Sequence, residues 1–194
     1  MTRTLLLIAG ASGSGKSRLT RLAEGRTTAL CLDDFYRDAD HPGLPMTPMG
    51  IPDWDDVATW DLPLALETIG RLLVDGTAEV PVYDISLSRR VGRKVVDARA
   101  AQVVVAEGIF AVETLRPALE AGLAAEGWWL DRRRGANFAR RLTRDLRERR
   151  KTPAVLLRRG AALYRAEPTL RRTALDAGFR PVGMRAALGR LAEG

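Results

Sequence analysis

The feature that most constrains this chain is the run Gly10-Ala11-Ser12-Gly13-Ser14-Gly15-Lys16-Ser17, which follows directly on the apolar stretch Leu5 to Ala9. A glycine-rich turn between a strand and a helix aims successive backbone N–H groups into one concavity, and the positive end of the helix adds to it. Such a cradle holds the phosphates of a nucleoside triphosphate. Lys16 then reaches the β- and γ-phosphates, and Ser17 offers its hydroxyl to Mg²⁺. The strand-loop-helix order also sets the fold class, an α/β three-layer sandwich around a mostly parallel sheet.

At 194 residues, with no linker-like break in composition, residues 1–194 read as a single domain. One cysteine, Cys31, permits no internal disulfide, and its place in an apolar strand predicts inert core. The N-terminal apolar stretch runs straight into the phosphate loop, so it is no signal peptide. No apolar run approaches the roughly 20 residues that span a bilayer. The expectation is a cytoplasmic protein without a membrane partner.

The formal charge of +7 is unevenly placed. Between Asp131 and Arg172 there are 15 Lys or Arg against four Asp or Glu, whereas the stretch from Asp33 to Asp61 is acidic. A nucleic-acid binder presents a more even basic coat, and a basic half facing an acidic loop fits a triphosphate site beside a metal and hydroxyl site.

Hydrophobic periodicity predicts strands at Thr4 to Ala9, Thr28 to Leu32 and Ala101 to Ala106, and a helix over Lys16 to Glu24. Pro42, Pro45, Pro48 and Pro52, with Gly43 and Gly50, make Tyr36 to Asp61 irregular, and loops of this length are usually functional. Leu62 to Asp75 reads as a helix, and Glu79 to Asp84 with Lys94 to Asp97 as a small hairpin. Further helices are expected over Leu115 to Ala125, Ala136 to Arg149, and much of Thr152 to Glu193.

The chain lacks a guanine-reading Asn-Lys-x-Asp, its one asparagine being Asn137, which excludes a GTPase. The strand ending in Glu107-Gly108, in a chain this small, favours a small-molecule kinase over a motor ATPase. Asp33 and Asp34 follow the second strand, so they emerge at the carboxyl end of the sheet, where ligands of open α/β sheets bind. Phosphoryl transfer to an alcohol needs a carboxylate to orient the hydroxyl and take its proton, a metal on the phosphates, and cations over the moving group. Asp33, then Ser17 with Glu107, then the arginines between 140 and 149 supply them. Trp54 and Tyr83 offer faces for a base, and Asp55 can accept from a cis-diol. His41 reads as a loop residue.

These segments together resemble the uridine kinases of the uridine kinase and phosphoribulokinase group. The resemblance rests on Gly10 to Ser17, Leu32-Asp33-Asp34-Phe35-Tyr36, Asp53-Trp54-Asp55-Asp56 through Trp60-Asp61, Pro81-Val82-Tyr83-Asp84, Val105 to Ala111, and Arg140 to Asp145 with Glu148-Arg149. It implies that Asp33 is the base toward a nucleoside 5′-hydroxyl and shares Mg²⁺ with Ser17 and Glu107. It implies Asp55 on the ribose hydroxyls, and Tyr36, Trp54 and Tyr83 around sugar and base. Arg141, Arg144 and Arg149 become lid and phosphate contacts on an Arg-rich helical lid. Two positions depart from the pattern: Ser88 stands where the family carries a base-contacting histidine, and Arg149-Arg150-Lys151 replaces Arg-Gly-Arg.

The reading is thus an ATP- and Mg²⁺-dependent kinase of a pyrimidine nucleoside, with GTP left open as donor, a small-molecule partner and an unreadable oligomeric state. The alternatives are a related kinase of pantothenate or a sugar phosphate, and a non-catalytic nucleotide-binding regulator. The acidic loop repels a phosphorylated acceptor, although Arg89, Arg90 and Arg93 would offset that.

Overall fold

The computed structural model describes residues 3–23, 25, 27–147 and 153–193. Five strands form one parallel sheet: β1 (Thr4–Ala9), β2 (Thr27–Cys31), β5 (Val103–Glu107), β6 (Ala125–Leu130) and β7 (Arg180–Val182), in the order β2-β5-β1-β6-β7. The strands β3 (Thr77–Asp84) and β4 (Arg89–Asp97) form a separate antiparallel hairpin. Helices are α1 (Lys16–Leu22), α2 (Leu62–Val74), α3 (Ala111–Glu120), α4 (Arg134–Arg147), α5 (Pro153–Asp176) and α6 (Met184–Glu193).

Side-chain alternation along β1 explains the layering. Leu5, Leu7 and Ala9 enter a core shared with α2, α3 and the end of α5, while Leu6 and Ile8 enter a second core with α1 and α6. A strand buried on both faces needs an uninterrupted apolar run, which β1 and the three valines of β5 provide. Trp60 anchors the larger core, its indole N–H donating to the Leu32 carbonyl at 2.6 Å.

Several expectations need correction. The helix expected over Leu115 to Ala125 runs over Ala111–Glu120, and Ala125 instead opens β6, a strand missing from the sequence reading. Glu126 and Gly127 interrupt its apolar pattern; it is a strand because β1 pairs with it, Leu5 to Ala125 through Ala9 to Trp129. β7 likewise falls where helix was expected and is held by β6. The hairpin is longer than expected at both ends, because cross-strand pairing carries through polar residues from Thr77 with Asp97 to Asp84 with Arg89. Cys31 is not core: it ends the edge strand β2 with an exposed side chain. Partial desolvation of its sulfur, then the charges of Asp33 and Asp34, push its thiol up to about 11.

Pro168 sits inside α5 and cannot donate to the Tyr164 carbonyl one turn back. Arg134 of α4 takes over that acceptor, and its guanidinium stacks over the Tyr164 ring at 4.0 Å. The buried amide of Asn137 donates to Glu167 at 3.0 Å nearby, so polar groups join α4 to α5. The segment joining them, with Arg149, lies outside the described residues, and the lid expected there goes with it.

Candidate active site

The sheet order places the chemistry. β5 lies between β1 and β2, with Glu107 in register with Ile8 on one side and Cys31 on the other. Glu107 therefore stands between the phosphate loop that follows β1 and the Leu32–Phe35 turn that follows β2. The Ser17 hydroxyl donates to Glu107 Oε1 at 2.9 Å. On the other side, Asp33 Oδ1 accepts the Ile109 N–H at 3.1 Å. Burial raises the Asp33 carboxyl above its usual range; Glu107 raises it further, against the Ile109 N–H and the Lys16 charge, which lower it.

Within the loop, Gly13 has φ +86, and a Cβ there would meet the Asn137 carbonyl oxygen at 2.5 Å. No other residue fits both the left-handed backbone and the packing of α4 on the loop. The Lys16 ammonium donates to the Gly10 carbonyl across the loop at 2.9 Å.

These groups line one cleft of about 780 Å³ that also reaches Asp55, Arg140 and Arg141. Gly10, Ala11, Ser12, Gly13, Gly15, Lys16 and Ser17 are all in its wall, whereas Ser14 is fully buried behind it. The oxygens of Ser17, Glu107 and Asp33 are hard donors that suit Mg²⁺. Among the described residues no group of three or more His, Cys, Asp or Glu is placed to hold a metal. Mg²⁺ takes one or two carboxylates and fills its remaining positions with water and phosphate oxygens. The loop and these donors fit a triphosphate with its cation.

Gly108 lets the end of β5 approach the Leu32–Phe35 turn closely. A Cβ there would lie 2.7 Å from Leu32 Cβ and 2.8 Å from Asp33 Oδ1. Gly108→Ala should cost about 1–3 kcal/mol of stability by overpacking and displace Asp33, lowering turnover more than nucleotide affinity. Urea unfolding together with steady-state kinetics checks both; a variant equal to the parent in each would contradict this geometry.

Asp34 turns away from the cleft. It binds the Lys94 ammonium at 2.6 Å and accepts the Tyr83 N–H at 3.3 Å, holding the hairpin against the sheet. Tyr36, Trp54 and Tyr83 come together beside the cleft rather than in its wall, with Tyr36 centred 5.5 Å from each of the other two rings. The Tyr36 hydroxyl donates to the Trp54 carbonyl at 2.9 Å, and its ring packs 5.7 Å from Phe110, which does line the cleft. Arg141 lines the cleft but donates to the Gly160 carbonyl of α5 at 3.0 Å. Arg144 is carried on α4, and Arg149 lies outside the described residues. His41 sits away from the cleft wall, 2.8 Å from Arg37. Ser88 occupies the turn of the hairpin with φ +50.

Two of the basic residues on the hairpin are engaged elsewhere. Arg90 donates to the Tyr36 and Phe35 carbonyls at 3.0 and 3.1 Å and pairs with Asp61 at 3.2 Å, while Arg93 pairs with Glu79 at 3.1 Å.

The sequence reading missed Glu113 and Trp129 in the wall, and Leu163, Leu170 and Thr173 of α5. Nothing local marks the last three, because only the return of α5 over the sheet brings them here.

A five-stranded parallel sheet with a phosphate loop after β1 and carboxylates at the ends of β2 and β5 defines a P-loop phosphotransferase. No family model matches the chain. A uridine kinase of Staphylococcus epidermidis is 32% identical over 156 residues, which cover 77% of this chain and 72% of that protein. One of Macrococcus caseolyticus is 31% identical with the same coverage. The chain belongs to the uridine kinase family. Among solved structures, a Silicibacter kinase assigned to fructose transport superposes with TM-score 0.59 at 19% identity, over 94% of this chain and 89% of that one. A circularly permuted P-loop protein of Saccharomyces cerevisiae, assigned as a kinase, gives 0.61 at 12% identity, over 94% and 92%. At these identities the likeness is one of fold. No helix among the described residues is long and apolar enough to cross a membrane.

Proposed function

We propose that the chain transfers the γ-phosphoryl group of ATP to the 5′-hydroxyl of a pyrimidine ribonucleoside, with Mg²⁺. The observation that carries this reading is the convergence of Lys16, Ser17, Glu107, Asp33 and Asp55 on one cleft. Bound Mg²⁺ would be held by Ser17 and Glu107 with Asp33 near, and would neutralise charge on the β- and γ-oxygens. The loop N–H groups and Lys16 hold the triphosphate. Asp33 orients the acceptor hydroxyl and takes its proton as the new O–P bond forms and the bond to the β-phosphate oxygen breaks. Desolvation of Asp33 suits that task, since a carboxyl raised from its usual range is a stronger base toward an alcohol. Arg140 and Arg141 lie over the same cleft as cations for the transferring group.

A phosphorylated acceptor is disfavoured, because Arg90 and Arg93 have carboxylate partners while Asp33, Asp55 and Glu107 present negative charge. Asp55 is assigned to the ribose 2′- and 3′-hydroxyls. A 2′-deoxynucleoside forfeits one hydrogen bond to a charged acceptor, roughly 1.5 to 3 kcal/mol, so ribonucleosides should win by about tenfold to 150-fold in kcat/KM. Asp55→Ala should shrink that preference and leave nucleotide affinity alone. Coupled assays of ADP release with uridine and deoxyuridine decide it: equal efficiency in the parent protein refutes the ribose assignment.

A further inference from the structure

Helices α4 and α5 meet through polar groups paired in antiparallel order. Asn137 and Arg141 lie one turn apart on α4, and Gly160 and Glu167 lie two turns apart on α5, so each pair shares a face. The Asn137 amide donates to Glu167 Oε1 at 3.0 Å, and the Arg141 guanidinium donates to the Gly160 carbonyl at 3.0 Å. Gly160 permits this approach, since a Cβ there would lie 2.7 Å from the Phe138 ring. α4 also packs on the phosphate loop, where the Asn137 carbonyl and the Arg141 backbone N–H close over Gly13. Asn137 and Glu167 are only 2% and 7% exposed, and neither lines the cleft that Arg141 lines. Sealing a carboxylate between two helices costs more solvation than a leucine there would. What a buried polar pair adds is register, because an amide and a carboxylate meet in one alignment whereas apolar side chains tolerate slippage.

We propose that Glu167 is a positioning residue for phosphoryl transfer: by holding the Asn137 amide it fixes the register of α4 on the phosphate loop and so sets Arg141 over the transferring group. This inference rests on the reading above that gives Arg141 that task. A slip of α4 by about 1 Å displaces the guanidinium from the phosphoryl group, whereas the loop N–H groups that bind nucleotide belong to a different segment.

The test is kcat, nucleotide affinity and melting temperature in the parent protein, Glu167→Gln, Glu167→Leu and Asn137→Leu/Glu167→Leu, with the alcohol on which the parent releases ADP fastest. Glu167→Leu should lower kcat by about tenfold to 10² and leave nucleotide affinity within about twofold. The double variant removes both partners together, leaves no buried amide unpaired, and should melt at or above the parent temperature with kcat still reduced. Glu167→Gln keeps an oxygen that accepts the Asn137 amide, so its kcat should stay within about twofold of the parent. Arg141→Ala should lower kcat as well, and adding Glu167→Leu to it should cause little further loss, because both act through one group. Parent-like kcat in both leucine variants, as for a carboxylate that only braces the helices, or losses that multiply in full with Arg141→Ala, overturns the inference and leaves the proposed function standing. A parent protein that releases no ADP on any alcohol overturns both.

Discussion

Asp33→Asn is expected to lower kcat by about 10² or more while fold and nucleotide affinity persist, the range expected when a positioned proton acceptor is removed. Asparagine is nearly isosteric, and its amide oxygen can still accept the Ile109 N–H that holds Asp33 at 3.1 Å. It cannot take a proton from the acceptor hydroxyl, and it removes one carboxylate oxygen from the proposed Mg²⁺ site. The substitution also ends the repulsion that Glu107 and burial impose on Asp33, so the ligand-free protein should melt at the same temperature or higher. Rapid-quench turnover, nucleotide titration and thermal melting together read the three effects. Parent-like kcat in this variant would remove Asp33 from the reaction.

Lys16→Ala should weaken nucleotide binding and transfer together. The ammonium spans the loop to the Gly10 carbonyl at 2.9 Å, so its loss removes both a brace of the cradle and the cation proposed to meet the β- and γ-phosphates. Deleting one preorganised donor from a water-poor site costs on the order of 10² to 10³ in kcat. The same charge lowers the Asp33 carboxyl, so the alanine variant also leaves the cleft carboxylates less neutralised. Lys16→Arg should not restore activity, because a planar fork cannot replace a compact point charge between the loop carbonyl and the phosphates. Calorimetric nucleotide binding and kcat measured on the same preparations check this; unchanged values for both would end the phosphate-loop reading.

The elements legible in the sequence were those encoded by neighbouring residues. The apolar run of β1, the loop and Lys16–Leu22 are consecutive, so strand, cradle and helix follow from local pattern and glycine placement alone. Asp33 and Glu107 were legible for the same reason, each directly following an apolar strand whose carboxyl end must face the ligand side of a parallel sheet. Local pattern failed wherever a partner distant in the chain decides the outcome. β6 carries Glu126 and Gly127 and becomes a strand because β1 offers it an edge, and β7 because β6 does. Asp33 and Asp34 are equivalent as text. The fold makes one a cleft carboxylate and the other a strut to Lys94, 60 positions away.

What the sequence by itself determined, then, was the parallel α/β class, the triphosphate cradle and the carboxylates at the ends of β2 and β5, because short-range sterics and strand periodicity specify them. The tertiary structure alone decided that Arg90 braces the Asp61 loop, that the Tyr36 cluster stands beside the cleft, and that α5 and Glu113 complete its wall. Those outcomes depend on which surfaces meet when the layers pack, and packing joins residues whose separation along the chain carries no local signal.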